Sequence, residues 1–162
     1  LKVKGFSPIV LSEPIAEKRE IGLSMGATKA IDPFEIDLLS ESTLLSEDDG
    51  FDVVFECSGI PELFKTGLDC LNRSGTLSYV SVIPTEVSFS PLGIMAGVEK
   101  RIVGVGSNNH EENKEILELM SKGKLDGTPL ISDEISLQEL PEVYRKKIDK
   151  QQVIKVMIRI TA

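Results

Sequence analysis

At 162 residues, 41% of them apolar and 27% charged, the chain has the composition of a globular domain able to bury its own core. Its net charge of −8 argues against a nucleic-acid surface, which needs clustered Lys and Arg, and no apolar run approaches the length of a membrane-spanning helix. Cys57 and Cys70 are too few for a disulfide framework, so a reducing, cytoplasmic setting is expected. Leu1 is not an initiating residue, and a longer parent chain is expected.

Along the chain, short apolar runs alternate with longer helical patterns. "PIVLS" (8–12) predicts a strand and "IAEKREIGLSMGA" (15–27) a helix, with Ile15, Ile21, Leu23 and Met25 partly on one face and Gly26 at its end. "KAIDP" (29–33) predicts a short strand closed by proline, and "FEIDLLSESTLLSE" (34–47) a helix that turns polar towards its end. "FDVVFECSG" (51–59) is the strongest strand, because Val53, Val54 and Phe55 are apolar without alternation, as in a parallel strand covered on both faces. A helix at 61–72 and a strand at 76–83 follow. A short helix at 92–100 and a strand at 101–106 come next. The helix predicted at 110–124 has acids in its first turn and Ile116, Leu117 and Met120 on one side.

Strands separated by helices in this way predict an α/β fold with right-handed crossovers and a doubly wound parallel sheet. The tail departs from the pattern. It predicts one helix and then a strand, Val153 to Ile160, whose alternation suits a half-exposed antiparallel sheet.

In doubly wound sheets, ligands bind beyond the carboxyl ends of the strands. Glu13 ends the 8–12 strand, where a carboxylate can accept hydrogen bonds from both ribose hydroxyls of a dinucleotide and repel a 2′-phosphate. An ordinary acid in the first turn of a helix is the competing reading. Lys18 and Arg19 follow one turn later. "ECSG" places Cys57, Ser58 and Gly59 in the same crevice, and no nearby base would activate the thiol. "YVSVIP" (79–84) and "GVGSNN" (104–109) end two further strands, but neither forms a phosphate loop. His110 is the only histidine and reads as a cap or surface residue. With two cysteines it fails every zinc spacing, so no metal site is expected in this stretch.

The succession "VLSEP…KR…GLSMGATKAIDP", "GFDVVFECSG", "LNRSGTLSYVSV" and "KGKLDGTPLIS" resembles the medium-chain dehydrogenase/reductase family, in particular its zinc-type alcohol, polyol and threonine dehydrogenases. "MGATKAIDP" followed by "GFDVVFECSG" is the most specific element, and the similarity runs through nearly the whole chain. The resemblance implies a Rossmann domain at residues 1–130, lacking its first strand. It implies a segment at 131–162 that returns to a GroES-like catalytic domain outside this sequence. The parent would transfer hydride between NAD and an alcohol, with zinc bound outside this segment, and this stretch alone would not catalyse the reaction.

The resemblance places Glu13 at the adenosine ribose with Lys18 as a secondary contact. Cys57, Ser58 and Gly59 pass the adenine and ribose, Val80, Ser81 and Val82 flank the nicotinamide, and Val105, Gly106 and Ser107 lie near it. Ser81 stands where glycine is expected. It also implies a homo-oligomer through the region after 91–106, with "LGIMAGV" as apolar interface. A non-catalytic nucleotide-binding module, a Rossmann-type methyltransferase and a zinc-independent reductase of the same family are the alternatives. A G-x-G-x-x-G loop and a Cys/His cluster upstream would separate the dehydrogenase from the binding module.

Overall fold

After a 3-10 turn at Lys2–Lys4, a strand of three residues pairs in parallel with the next strand in the chain. The computed structural model describes residues 1–46, 49–95, 98–150 and 153–160. Two compact units share the chain, one built from residues 1–31 with 109–162 and the other from 32–108.

The first unit begins with β1 (Val10–Ser12), α1 (Ala16–Ser24) and β2 (Lys29–Ile31), with Val10 opposite Lys29 and Ser12 opposite Ile31. Helix α1 stops where the sequence predicts, because Gly26 takes a φ of 110° and the N–H of Ala27 turns back to the Gly22 carbonyl.

The second unit runs α2 (Leu38–Leu45), β3 (Phe51–Glu56), α3 (Pro61–Asp69), β4 (Leu71–Tyr79), α4 (Leu92–Met95) and β5 (Arg101–Gly104). Helix α2 begins later than expected because the Asp37 carboxylate caps it, accepting from the Ser40 N–H at 2.8 Å. Strand β4 starts earlier and ends earlier than 76–83. The expected short helix at 92–100 is formed only at Leu92–Met95; Ala96 and Gly97 lie outside the described residues.

Strands β3, β4 and β5 form a parallel sheet in that order, with Val54 opposite Leu77 and Leu77 opposite Ile102. Phe64 and Leu68 of α3 cover one face of this sheet, closing a core with Leu71 and Leu77 to which Val54, Tyr79, Ile83, Val87 and Ile102 pack. Phe64 meets Tyr79 edge-on at 5.7 Å between ring centroids and stacks on Phe89 at 6.2 Å. Phe55 and Val103 point the other way and remain 44% and 45% exposed. Among the described residues β1 pairs only with β2 and β3 only with β4, so each keeps one open edge.

The chain returns to the first unit through α5 (His110–Ser121), β6 (Ile131–Ser136), α6 (Leu140–Val143), a π-helical turn at Tyr144–Ile148, and β7 (Lys155–Arg159). One expectation is corrected here. The tail strand pairs in parallel, not antiparallel: β7 lies beside β6, with Ile131 opposite Lys155 and Ile135 opposite Ile158. Its alternation does not report strand direction, since only Val156 of β7 is part-buried, and the crossover through α6 sends it back the same way. Helix α5 forms where predicted, but Ile116, Leu117 and Met120 are exposed.

His110 is the first residue of α5 and exposed; the cap is Asn109, whose side chain accepts from the Glu112 N–H while the Glu112 carboxylate accepts from the Asn109 N–H. Asn109→Ala is expected to cost about 1 kcal/mol of local stability, read as faster amide exchange across the first turn of α5. No helix among the described residues is long and apolar enough to cross a membrane.

Candidate functional site

Two of the candidate residues, Glu13 and Lys18, belong to the first unit. Glu13 follows β1, and its N–H continues the parallel pairing by donating to the Ile31 carbonyl at 3.1 Å. Its side chain turns back on α1: Oε1 accepts from the Ile15 N–H at 2.9 Å. Arg19 donates to the Glu13 carbonyl at 2.7 Å, gripping the same tip from one helical turn away. The carboxylate is half-buried, and among the described residues only Oε1 is engaged. The helix-turn role and a ligand role are thus compatible, since they use different oxygens. Lys18 lines an open groove of about 500 Å³ with Ile15, Ile21, Ile131, Ser132 and Ile154; Glu13 is not among the lining residues.

The other nine candidates belong to the second unit, at the carboxyl ends of β3, β4 and β5. Glu56, the last residue of β3, organises them, although its position was read only as the start of "ECSG". It is buried at 4% exposure, and its Oε1 accepts from the N–H of Ser58 at 2.7 Å, from the N–H of Gly59 at 3.0 Å and from the Ser58 hydroxyl. Its Oε2 accepts from the Ser81 hydroxyl in the segment after β4. An acid closing an apolar strand, with Ser and Gly two and three residues on, is the local signal that marks such a turn.

Burial works to raise the Glu56 pKa, but the two hydroxyls and two backbone N–H groups outweigh it and hold the carboxyl below its ordinary value. Gly59 sits beside the same junction at a φ of 75°, and a Cβ there would lie 2.8 Å from the Val82 carbonyl. Its lack of a side chain admits the neighbouring segment of this chain. Cys57, Ser58, Gly59, Val80, Ser81 and Val82 are therefore brought together. Val105 joins them through its N–H, which donates to the Tyr79 carbonyl at 3.0 Å. Gly106 and Ser107 follow as exposed residues.

Cys57 is exposed, yet packing around its sulfur and then the neighbouring Glu56 charge push its thiol pKa up. A raised pKa leaves less thiolate at any given pH, which suits a packing residue rather than a nucleophile. Iodoacetamide is expected to label Cys57 and spare the fully buried Cys70, and the pH midpoint of the Cys57 rate should lie above that of a free thiol. Glu56→Gln should move that midpoint down; a midpoint at or below the free-thiol value in the wild type would contradict this geometry.

Parallel strands joined by helical crossovers, with an acid and a glycine turn at their carboxyl ends, define a Rossmann-type α/β fold. Residues 1–122 match the family described as zinc-binding dehydrogenase, and the chain belongs to that family. It is 30% identical to the L-threonine 3-dehydrogenase of Pyrococcus abyssi over 132 residues, covering 81% of this chain and 38% of that protein. An alcohol dehydrogenase from Thermus sp. ATN1 superimposes with a TM-score of 0.91 at 23% identity, covering 99% of this chain and 46% of that one. A zinc-binding dehydrogenase from Sinorhizobium meliloti, solved bound to NADP, gives a TM-score of 0.87 at 28% identity, over 98% and 47%. The chain thus spans less than half the length of the relatives it matches. The resemblance to the zinc-type medium-chain dehydrogenases and the α/β reading both hold. Among the described residues no three His, Cys, Asp or Glu side chains gather to hold a metal.

Proposed function

We propose that this chain is the cofactor-binding part of an NAD-dependent alcohol or polyol dehydrogenase. The observation that carries the reading is Glu13: a carboxylate at the carboxyl end of a parallel strand, fixed through one oxygen by the Ile15 N–H. That arrangement suits two ribose hydroxyls and opposes a 2′-phosphate, which favours NAD over NADP. Lys18 supplies a secondary contact from α1. In the second unit, Cys57, Ser58 and Gly59 provide backbone and small side chains for the adenosine half, and Val80, Val82 and Val105 provide apolar surface for a flat ring. Val82 is 87% exposed, so its side chain is accessible to a ligand.

A nicotinamide cofactor held by these residues would supply the acceptor for a hydride from the alcohol carbon. This chain's residues bind and orient it and screen it from water. Residues 1–130 form the dinucleotide domain in this reading, and 131–162 pack with a catalytic domain that holds the zinc and the alcohol. The protein works in the cytoplasm as a homo-oligomer, and the 162 residues alone are inactive.

The test is formation of the reduced cofactor, NADH or NADPH, by the protein at its natural length, offered NAD or NADP with secondary alcohols, polyols and threonine. Turnover with NAD and any of these supports the reading. Binding of NAD with no turnover on any of them would favour a non-catalytic module.

A further inference from the structure

Ser81 stands where the family resemblance leads one to expect glycine, and the structure gives its hydroxyl a use that glycine could not fill. A serine hydroxyl has one proton, and here that proton is directed at Glu56 Oε2. Glu56 is buried, and its other oxygen already holds the Ser58 and Gly59 N–H groups and the Ser58 hydroxyl. The Val80 N–H donates to the Glu56 carbonyl at 2.9 Å, and Gly59 lies tight against the Val82 carbonyl. The Val80–Val82 segment is thereby fastened to Glu56 by two hydrogen bonds, of which, among the described residues, only the Ser81 hydroxyl's comes from a side chain of that segment.

Resting on the dinucleotide reading above, we propose that Ser81 is a positioning residue. It latches the segment after β4 to Glu56 and so fixes Val80 and Val82 against the nicotinamide half of the cofactor, without itself bonding to the cofactor. A donating contact from Ser81 to the cofactor would need the proton that the hydroxyl already directs at Glu56. An unlatched segment would have to be ordered at the moment of binding, and that ordering weakens affinity.

The experiment is a double-mutant cycle in the natural-length protein. Ser81→Ala, Ser81→Thr, Glu56→Gln and the Ser81→Ala/Glu56→Gln pair are compared for binding of NADH and of ADP-ribose, which lacks the nicotinamide ring. Thermal unfolding of each variant shows that it is folded. Ser81→Ala should weaken NADH by about tenfold and leave ADP-ribose within about twofold. Ser81→Thr, which keeps a hydroxyl, should restore NADH binding. In the Glu56→Gln background the alanine change should add nothing beyond about twofold, because the latch is already altered. An equal loss from Ser81→Ala in both backgrounds would show a direct contact and overturn the proposal, as would no loss at all. Wild-type protein that binds neither NADH nor ADP-ribose would overturn the dinucleotide reading itself.

Discussion

Glu13→Gln is expected to lower NADH affinity in the natural-length protein by roughly ten- to a hundredfold, because hydrogen bonds to a charged group contribute about 1.5–3 kcal/mol. NADPH binding should improve at the same time, since the charge opposing a 2′-phosphate is gone, and the preference between the two cofactors should narrow by more than either change alone. Glutamine is the informative substitution because its amide oxygen can still accept from the Ile15 N–H, the bond that Glu13 Oε1 makes at the start of α1. The variant therefore loses the charge and keeps the helix start. Fluorescence titration with both reduced cofactors is the measurement. An unchanged NADH affinity would reduce Glu13 to an acid of the helix turn. The question is sharp for this chain because a relative at 28% identity was solved with NADP.

The second large effect lies in the core. Leu77→Ala should destabilise the second unit by about 2–5 kcal/mol, the range for a buried Leu whose cavity relaxes only partly. Leu77 has 0% exposure, sits in the middle strand between Val54 and Ile102, and faces Phe64 and Leu68 of α3. Val103→Ala, on the open face of the same sheet, should cost well under half as much. Amide exchange of β3, β4 and β5 reads both. A loss below about 1 kcal/mol for Leu77→Ala would mean that α3 is not seated on this sheet face.

What the sequence showed clearly was what local chemistry decides. Val53, Val54 and Phe55 in succession mark β3, and Gly26 marks the end of α1, because each depends on neighbours in the chain. Strand β6 carries no apolar run: "ISDEIS" buries only Ile135 fully and sets the adjacent acids Asp133 and Glu134 between its two isoleucines. Its parallel pairing with β7 is a property of the crossover, which periodicity does not record. Helix α5 was legible as a helix, but the exposure of Ile116, Leu117 and Met120 was not, since an apolar stripe declares a face without naming what covers it. Glu56 was passed over for a related reason. Its partner Ser81 lies 25 residues away, and the two meet only because β3 and β4 are neighbours in register. The sequence did flag Ser81 as out of pattern; only the structure supplied the cause.

One atom of Glu13 carries a consequence for how this protein can change. Its Oε1 holds the first turn of α1 while the carboxylate as a whole sets the cofactor preference proposed here. A lineage or an engineer replacing the acid with glycine or alanine, to admit a phosphorylated cofactor, would also leave the Ile15 N–H without its partner. The shift in preference would then arrive with a loss of about 1 kcal/mol in fold stability, unless a second substitution re-capped the helix. Asparagine or glutamine would be the stepping stone, neutral in charge and still able to accept, so the order in which substitutions can accumulate at this site is constrained by the helix rather than by the ligand.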